Sequence, residues 1–362
     1  MAVADSVDPR MVFPQRRSGQ EPAAIRHCLI DSDGRSVLAA GDQITRHDPG
    51  TTSALVLSGG TVVRGSGELR NGRALLWSDR QLLLYDGRSV SSAIEPVEPA
   101  WHYDAAVLLN NLALATARRD ELGKSRLNVY RDLSRASSSL MVAETPPDVP
   151  LWMNAFGADA FALGRRDGAV DLWRAASSRV THVELVGHTG AVAHGAVVPG
   201  DSYLITAADD LTVRIWTITT EPTLLGGTSA ACSGHTDAIT GIAITPDGQC
   251  VATSSRDRTI RLWGIPDGRN LAVLTEHRDW VTHVAVNPIG THLASCSEDG
   301  TVKLWDLHTH ECIGTTYGVS RFLCLAMSAD TVFAGDAAGN LWMLQYGDED
   351  RREGTSPFRS TS

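Results

Sequence analysis

His188, Thr206, Asp210 and Trp216 bring an imidazole, a hydroxyl, a carboxylate and an indole into one short stretch of chain. Hydroxyl, imidazole and carboxylate are the parts of a nucleophilic relay, in which a carboxylate orients a histidine that activates an oxygen. The same four residue types recur as His235, Thr253, Asp257 and Trp263, and again as His277, Ser295, Asp299 and Trp305. In every set the Asp follows the His by 22 residues and the Trp follows the Asp by six. An enzyme needs one relay, not three, and a relay has no use for a tryptophan at fixed spacing. A structural reading accounts for all four members. The carboxylate accepts from the imidazole, the imidazole meets the hydroxyl, and the indole N–H donates to the hydroxyl. A buried polar network satisfied in this way specifies one local geometry. No catalytic residue is therefore assigned.

Other chemistry has less support. His308 and His310 flank Thr309, but a metal site needs further ligands and no cysteine cluster or HExxH supplies them. Gly59-Gly60 and Gly226-Gly227 lack the Lys-Ser/Thr of a phosphate loop, and neither GxSxG nor CxxC occurs. No metal and no cofactor is expected. The six cysteines form no close-spaced pair and mostly sit in apolar runs, which reads as a reduced, cytoplasmic protein. The net charge of −10 falls almost wholly after residue 150, which argues against general nucleic-acid binding. No apolar run is long enough for a spanning helix, and residues 1–17 do not read as a secretory signal.

The elements that must hold the three sets follow from the second. Residues 239–246 and 250–255 read as strands joined at Asp247-Gly248, and Thr259 to Trp263 follows a tight turn at 256–258. Pro266-Asp267-Gly268 turns again before Leu271 to Leu274. Four short strands joined this way make one antiparallel sheet. The order repeats over 278–318, over 189–234 with a longer last loop, over 151–187 without the His, and over 319–346 for three strands. Third strands ending at His47, Tyr85, Tyr130, Trp173, Trp216, Trp263, Trp305 and Leu344 are spaced by 38 to 47 residues. That rhythm predicts eight units, with seven as the alternative. A lone sheet of this size leaves edges and faces exposed. Stacking such sheets radially buries both faces, the β-propeller solution. Met11-Val12-Phe13 is the expected strand that closes the ring on the last, incomplete unit. The expectation is thus an all-β chain: one propeller over 1–346, with divergent blades in 20–150 and regular ones in 151–346. A charged, flexible tail is expected over 347–362.

Gly187-His188, Gly234-His235, Trp305-Asp306 and the three complete sets make the chain resemble the WD-repeat propeller family. The resemblance is strongest over 187–306 and only rhythmic over 20–150. It implies a non-enzymatic scaffold or sensor that binds protein partners. It also implies that residues just before the blade Asp, and at the start of the first strand, line the partner-binding face. Here these are Arg166, Asp209, Arg256 and Glu298, and Asp237, Arg278 and Trp280. Tryptophan and arginine are enriched in binding hot spots, but a mixed solvated surface with Trp280 packed on a neighbouring blade is the competing reading. The regular units further resemble propellers of bacterial signalling and defence proteins joined to NTPase domains. By that analogy the effector is a separate NTPase or protease-like polypeptide. Two alternatives stay open: an enzyme or small-ligand binder using a central channel, and a structural subunit of a fixed complex. The stretch from Gly335 to Trp342, similar to quinoprotein-like blades, is the best sequence support for the enzyme.

Overall fold

The computed structural model describes residues 150–157, 159–175, 180–200, 202–219, 225–346 and 358–359. Before these it describes 10–12, 24–30, 37–40, 43–47, 55–59, 63, 65–66, 74–77, 81–85, 89–94, 101–108, 114–120, 125–130 and 139–144. Phe13 and most of the tail after Tyr346 lie outside the described residues.

All the regular structure described is β. β1 (Arg10–Val12) precedes a first sheet made of β2 (His27–Ile30), β3 (Val37–Ala40), β4 (Gln43–His47) and β5 (Leu55–Gly59). A second contains β6 (Gly65–Ser66), β7 (Ala74–Trp77), β8 (Leu82–Tyr85) and β9 (Val90–Ile94). A third contains β10 (Trp101–Leu108), β11 (Leu114–Asp120), β12 (Ser125–Tyr130) and β13 (Ser139–Glu144). A fourth has β14 (Trp152–Phe156), β15 (Ala160–Gly164), β16 (Val170–Ala175) and β17 (Val180–Leu185). A fifth has β18 (Val192–Val197), β19 (Tyr203–Ala208), β20 (Val213–Thr219) and β21 (Leu225–Cys232). The sixth is β22 (Ile239–Ile244), β23 (Cys250–Ser255), β24 (Ile260–Gly264) and β25 (Asn270–Leu274). The seventh is β26 (Val281–Val286), β27 (His292–Ser297), β28 (Thr301–Asp306) and β29 (Cys312–Tyr317). The last is built on β30 (Phe322–Met327), β31 (Thr331–Asp336) and β32 (Leu341–Tyr346), joined by β1 and by β33 (Phe358–Arg359).

These results correct the expectation of eight, or alternatively seven, equivalent four-stranded blades. Among the described residues, six sheets have four contiguous strands of at least four residues each: those of β2–β5, β10–β13, β14–β17, β18–β21, β22–β25 and β26–β29. The sheet of β6–β9 opens on a strand of only two residues. The last sheet runs β1-β32-β31-β30, so the N-terminal strand stands beside β32 as the outer strand expected there, and β33 adds a fifth. β1 pairs antiparallel with Leu341–Met343 of β32, and β33 pairs with Gln345 and Tyr346 of the same strand. The rhythm of third strands gave eight units, a count that the six full blades do not bear out, because spacing alone does not report whether a unit is complete.

The chain divides into two compact units, one of 1–62, 252–261 and 272–362 and the other of 63–251 and 262–271. In the first, Ala294, Cys296, Val302 and Leu304 of the β26–β29 sheet pack against Phe322, Leu325, Val332, Trp342 and Leu344 of the next. In the second, Phe156, Ala162, Val170 and Leu172 meet Val192, Leu204, Trp216 and Ile218 in the same way. Middle strands are therefore covered on both faces. Every residue of β27, β28 and β31 is buried, so the alternation of a half-buried strand is lost, whereas β25 at a sheet margin is mostly exposed. The turn between second and third strands is the tightest point of each regular blade. The residue after the blade Asp has a left-handed backbone there, at Gly168 (φ 91°), Leu211 (65°), Arg258 (70°) and Gly300 (75°).

Candidate functional site

In the β18–β21 blade the four expected residues meet. His188 Nδ1 lies 2.9 Å from Asp210 Oδ2, and its Nε2 lies 2.8 Å from Thr206 Oγ1. The Trp216 indole donates to that same hydroxyl at 2.8 Å. Asp210 also accepts from the Thr189 N–H, the Thr212 N–H and the Thr212 hydroxyl. The β26–β29 blade repeats the arrangement. His277 reaches Asp299 at 3.0 Å and Ser295 at 2.7 Å, and Trp305 donates to Ser295 at 2.9 Å. Asp299 accepts from the Arg278 N–H, the Thr301 N–H and the Thr301 hydroxyl. In the second set, Asp257 accepts from the Thr259 N–H and hydroxyl at 2.9 and 2.6 Å. The His235 and Trp263 rings lie 6.2 Å apart, matching the 6.3 Å of the other two His–Trp pairs. His188, His235 and His277 are all buried.

One proton arrangement satisfies each complete network. The indole N–H donates to the hydroxyl, the O–H donates to Nε2, and Nδ1–H donates to the carboxylate. The histidine is then neutral, and burial enforces this by pushing His188 and His277 below the ordinary 6.5, against the pull of Asp210 and Asp299. Burial would raise Asp210 and Asp299, but the hydrogen bonds they accept outweigh it and hold both below the usual carboxylate range. A neutral histidine between a hydroxyl and a carboxylate resembles a relay, but its hydroxyl is buried under an indole, where no substrate carbonyl can approach. The threonine two residues after each Asp was missed by the sequence reading. Its signal was present, since Thr212, Thr259 and Thr301 recur at one spacing.

Blades without the set use other means. In β14–β17, Leu163 stands ten residues before Trp173, where the regular sets have Ser or Thr. The Trp173 indole nitrogen has no acceptor, and its ring stacks on His182 at 4.3 Å. Buried Arg165 reaches Asp167, Asp171 and Glu184, while His182 also bonds Asp171 at 2.9 Å. In the last sheet, Asp336 accepts from the Asn340 N–H, the Asn340 amide and the Trp342 indole. All three residues are buried, so the stretch similar to quinoprotein-like blades is a closed packing network.

The partner-face candidates are mostly exposed. In the first unit, the Arg256 guanidinium sits over the Trp280 ring at 4.6 Å, and Trp280 retains 43% of its surface. The Glu298 N–H bonds the Trp280 carbonyl, and the Glu298 carboxylate pairs with Arg321 at 3.1 Å. Twice, then, the residue before the blade Asp touches the first-strand start of the following blade. Arg278 is exposed, with its backbone N–H held by Asp299. The sequence reading did not single out Arg321, Tyr317 or Val319. Tyr317 and Val319 are 74% and 72% exposed, and between them the Gly318 N–H bonds Gly300 in the same turn as Glu298. In the second unit, Arg166, Asp209 and Asp237 are exposed on separate turns. The Asp209 N–H bonds Ala191, and Asp237 accepts from the Ala238 N–H. Exposed His308 lines an open depression of about 560 Å³ with Thr291, His292, Asp306 and Thr309, at the opposite end of its sheet from Glu298. Among the described residues, no group of three or more His, Cys, Asp or Glu could hold a metal ion, and no helix is long and apolar enough to cross a membrane.

The WD40 family model (WD domain, G-beta repeat) matches residues 179–217, 226–264 and 268–306, the stretches that carry the three sets. These repeats, together with the four-stranded blades, support the WD-repeat propeller family. Proteins of that family generally mediate protein–protein interactions and are generally not enzymes. The fold is similar to that of the computationally designed Ika8 protein, known from a crystal structure. The two agree with a TM-score of 0.72 at 19% sequence identity, over 90% of this chain and 97% of that one.

Proposed function

We propose that this protein is a non-enzymatic interaction scaffold or sensor subunit, and that the loop cluster around Trp280 holds its protein partner. The observation that carries this reading is an exposed indole capped by the Arg256 guanidinium, beside the Arg321–Glu298 pair. A large aromatic anchor already stiffened by a cation, with charged groups at its rim, has the composition of a binding hot spot. Arg278, Tyr317 and Val319 extend the same cluster, and Arg166, Asp209 and Asp237 are its counterparts in the other unit. By the resemblance of the regular repeats to bacterial signalling and defence propellers, we further propose a separately encoded NTPase or protease-like effector in the bacterial cytoplasm.

The test is affinity purification of the tagged protein from its native host with mass spectrometry, run in parallel on Trp280→Ala and Arg256→Ala. Both side chains are exposed, so each variant is expected to keep wild-type stability within about 1 kcal/mol. A partner captured at near-stoichiometric yield by the wild type, and reduced at least tenfold by Trp280→Ala, is the expected result. Equal capture by both variants would overturn the assigned face. A co-purifying small molecule with no protein partner would overturn the scaffold reading in favour of ligand binding.

A further inference from the structure

Two cysteines almost 300 residues apart meet side by side. Cys28 in β2 and Cys324 in β30 have their sulfurs 3.3 Å apart, at a sequence separation of 296. Their backbones are fixed independently of the thiols. The Ile25 N–H bonds the Asp336 carbonyl at 3.2 Å, and Ile25 packs with Cys324, Phe333 and Leu341. Cys324 pairs across the sheet with Gly335, where a β-carbon would come within 2.9 Å of the Cys324 sulfur. The glycine leaves that sulfur room to face Cys28. A disulfide requires the sulfurs to close to about 2.05 Å, a movement of roughly 1.3 Å that rotation about the two Cα–Cβ bonds can supply. Of the other four cysteines, Cys232 and Cys296 are fully buried. Cys296 is engaged by the Thr282 hydroxyl at 3.2 Å.

We propose that Cys28 and Cys324 form a redox-modification site, a reversible dithiol–disulfide pair that reacts with a disulfide oxidant of the oxidised-glutathione class and ties β2 to the last sheet. Cys28 leads, because it is half-buried while Cys324 is 3% exposed. The Cys28 thiolate attacks one sulfur of the oxidant, forming a mixed disulfide and expelling one glutathione thiolate. Cys324 then gives up its proton, and its sulfur attacks the Cys28 sulfur and expels the second thiolate. Two electrons pass from the two cysteines to the oxidant, and the two protons end on two molecules of glutathione. The hydrogen bond with Cys28, and burial after it, hold the Cys324 thiol well above its ordinary range, so it stays protonated until the mixed disulfide forms beside it. The closed loop spans most of the chain, the case in which a cross-link restricts the unfolded state most. The β1 and β33 strands already bring both chain ends to this last sheet, and the disulfide would make that attachment covalent.

The experiment uses the full chain, held in dithiothreitol or equilibrated with oxidised glutathione, alongside Cys28→Ser and Cys324→Ser. Readouts are titratable thiols, non-reducing peptide mapping by mass spectrometry and melting temperature. The expected result is loss of two of the six thiols, a peptide linking Cys28 to Cys324, and a melting temperature higher by about 5 °C. Dithiothreitol should reverse all three changes, and neither serine variant should show the link or the thermal shift. A glutathione adduct without the internal link, a link between Cys324 and Cys296, or a linked protein with an unshifted melt would each overturn the proposal. The comparison of oxidised with reduced wild type stands even where a serine variant folds poorly.

Discussion

Replacing Asp299 by alanine removes the acceptor on which one complete network converges. Four donors lose this acceptor: His277 Nδ1–H, which keeps only the Thr301 hydroxyl at 3.2 Å, the Arg278 N–H, the Thr301 N–H and the Thr301 hydroxyl. Arg278 is exposed and water can replace its bond, but the His277 side chain is only 1% exposed and Thr301 is buried. Each buried donor left unsatisfied costs about 1–3 kcal/mol. With two of them fully enclosed, and the Thr301 hydroxyl able to rotate, the expected loss is about 2–4 kcal/mol. At an unfolding entropy of about 2.1 cal/mol/K per residue, that lowers the melting temperature by roughly 3–5 °C if the chain unfolds as one. Urea unfolding followed by tryptophan fluorescence gives the free energy directly, because Trp305 belongs to the network. Asp299→Asn should cost less. Its carbonyl can still serve Thr301, and His277 can change tautomer to accept from the new amide, although the Ser295 O–H then loses its acceptor. Combining Asp299→Ala with His277→Ala should cost less than the sum of the two by about 1–2 kcal/mol, the signature of shared contacts. An Asp299→Ala protein within about 0.5 kcal/mol of wild type, or a strictly additive cycle, would refute the network as the source of stability.

The left-handed turns give a prediction of opposite sign. Arg258 is exposed with a φ of 70°, where a side chain costs about 1 kcal/mol, so Arg258→Gly should stabilise by about 0.5–1 kcal/mol in the same assay. Gly300→Ala should lose about 1 kcal/mol from backbone strain alone, because its new β-carbon would find its nearest neighbour at an ordinary 3.7 Å. If Arg258→Gly proved destabilising, the turn would not be strained. The pH dependence follows from two neutral histidines. Below about 6.5 the unfolded chain takes up protons on His188 and His277 that the folded chain refuses, so the melting temperature should fall steadily as pH drops from 7 to 5. Asp210 and Asp299, held below their ordinary range, add a second loss only below about pH 4, as the unfolded carboxylates protonate first. A melting temperature flat between pH 7 and 5 would contradict the neutral assignment. His277→Gln, less stable at pH 7, should show a shallower slope.

The parts of this fold that could be read from sequence are those whose geometry depends on residues close together in the chain. The His–Asp separation of 22 and the Asp–Trp separation of six reflect two hairpins of fixed length, so the networks and the second-to-third-strand turns were legible. What depends on partners far away was not. The β6 strand is two residues long, yet the spacing of the third strands passes over it unchanged. The fifth strand of the last sheet comes from Phe358–Arg359, beyond a run of charge that reads locally as a tail. Alternation failed as a guide in the middle strands, since a strand covered on both faces has no polar side to display. The proposed partner face was half legible. Trp280 and Arg256 stood out by type and position, but Arg321, Tyr317 and Val319 join them only through a backbone bond from Gly318 to Gly300.

The distribution of the networks bears on where specificity sits. A blade with the full set fixes its turn through a carboxylate that accepts several hydrogen bonds, four at Asp210 and Asp299, so the residue just before that Asp is presented on a rigid support. Arg256 and Glu298 occupy such positions, and each reaches the next blade, one over Trp280 and one to Arg321. In the last sheet the equivalent of the His is Gly318, and Phe322 fills the space, coming within 2.6 Å of any β-carbon added there. Loss of the imidazole lets the segment from Tyr317 to Val319 cross the Asp299 turn with both side chains outward. The exposed apolar residues thus arise where the polar network has been replaced by an aromatic contact, next to blades where it is intact. Preorganised arginine and tryptophan beside an irregular, exposed Tyr–Gly–Val segment is an arrangement in which the regular repeats supply rigidity and the departure from them supplies the surface that the proposed partner would distinguish.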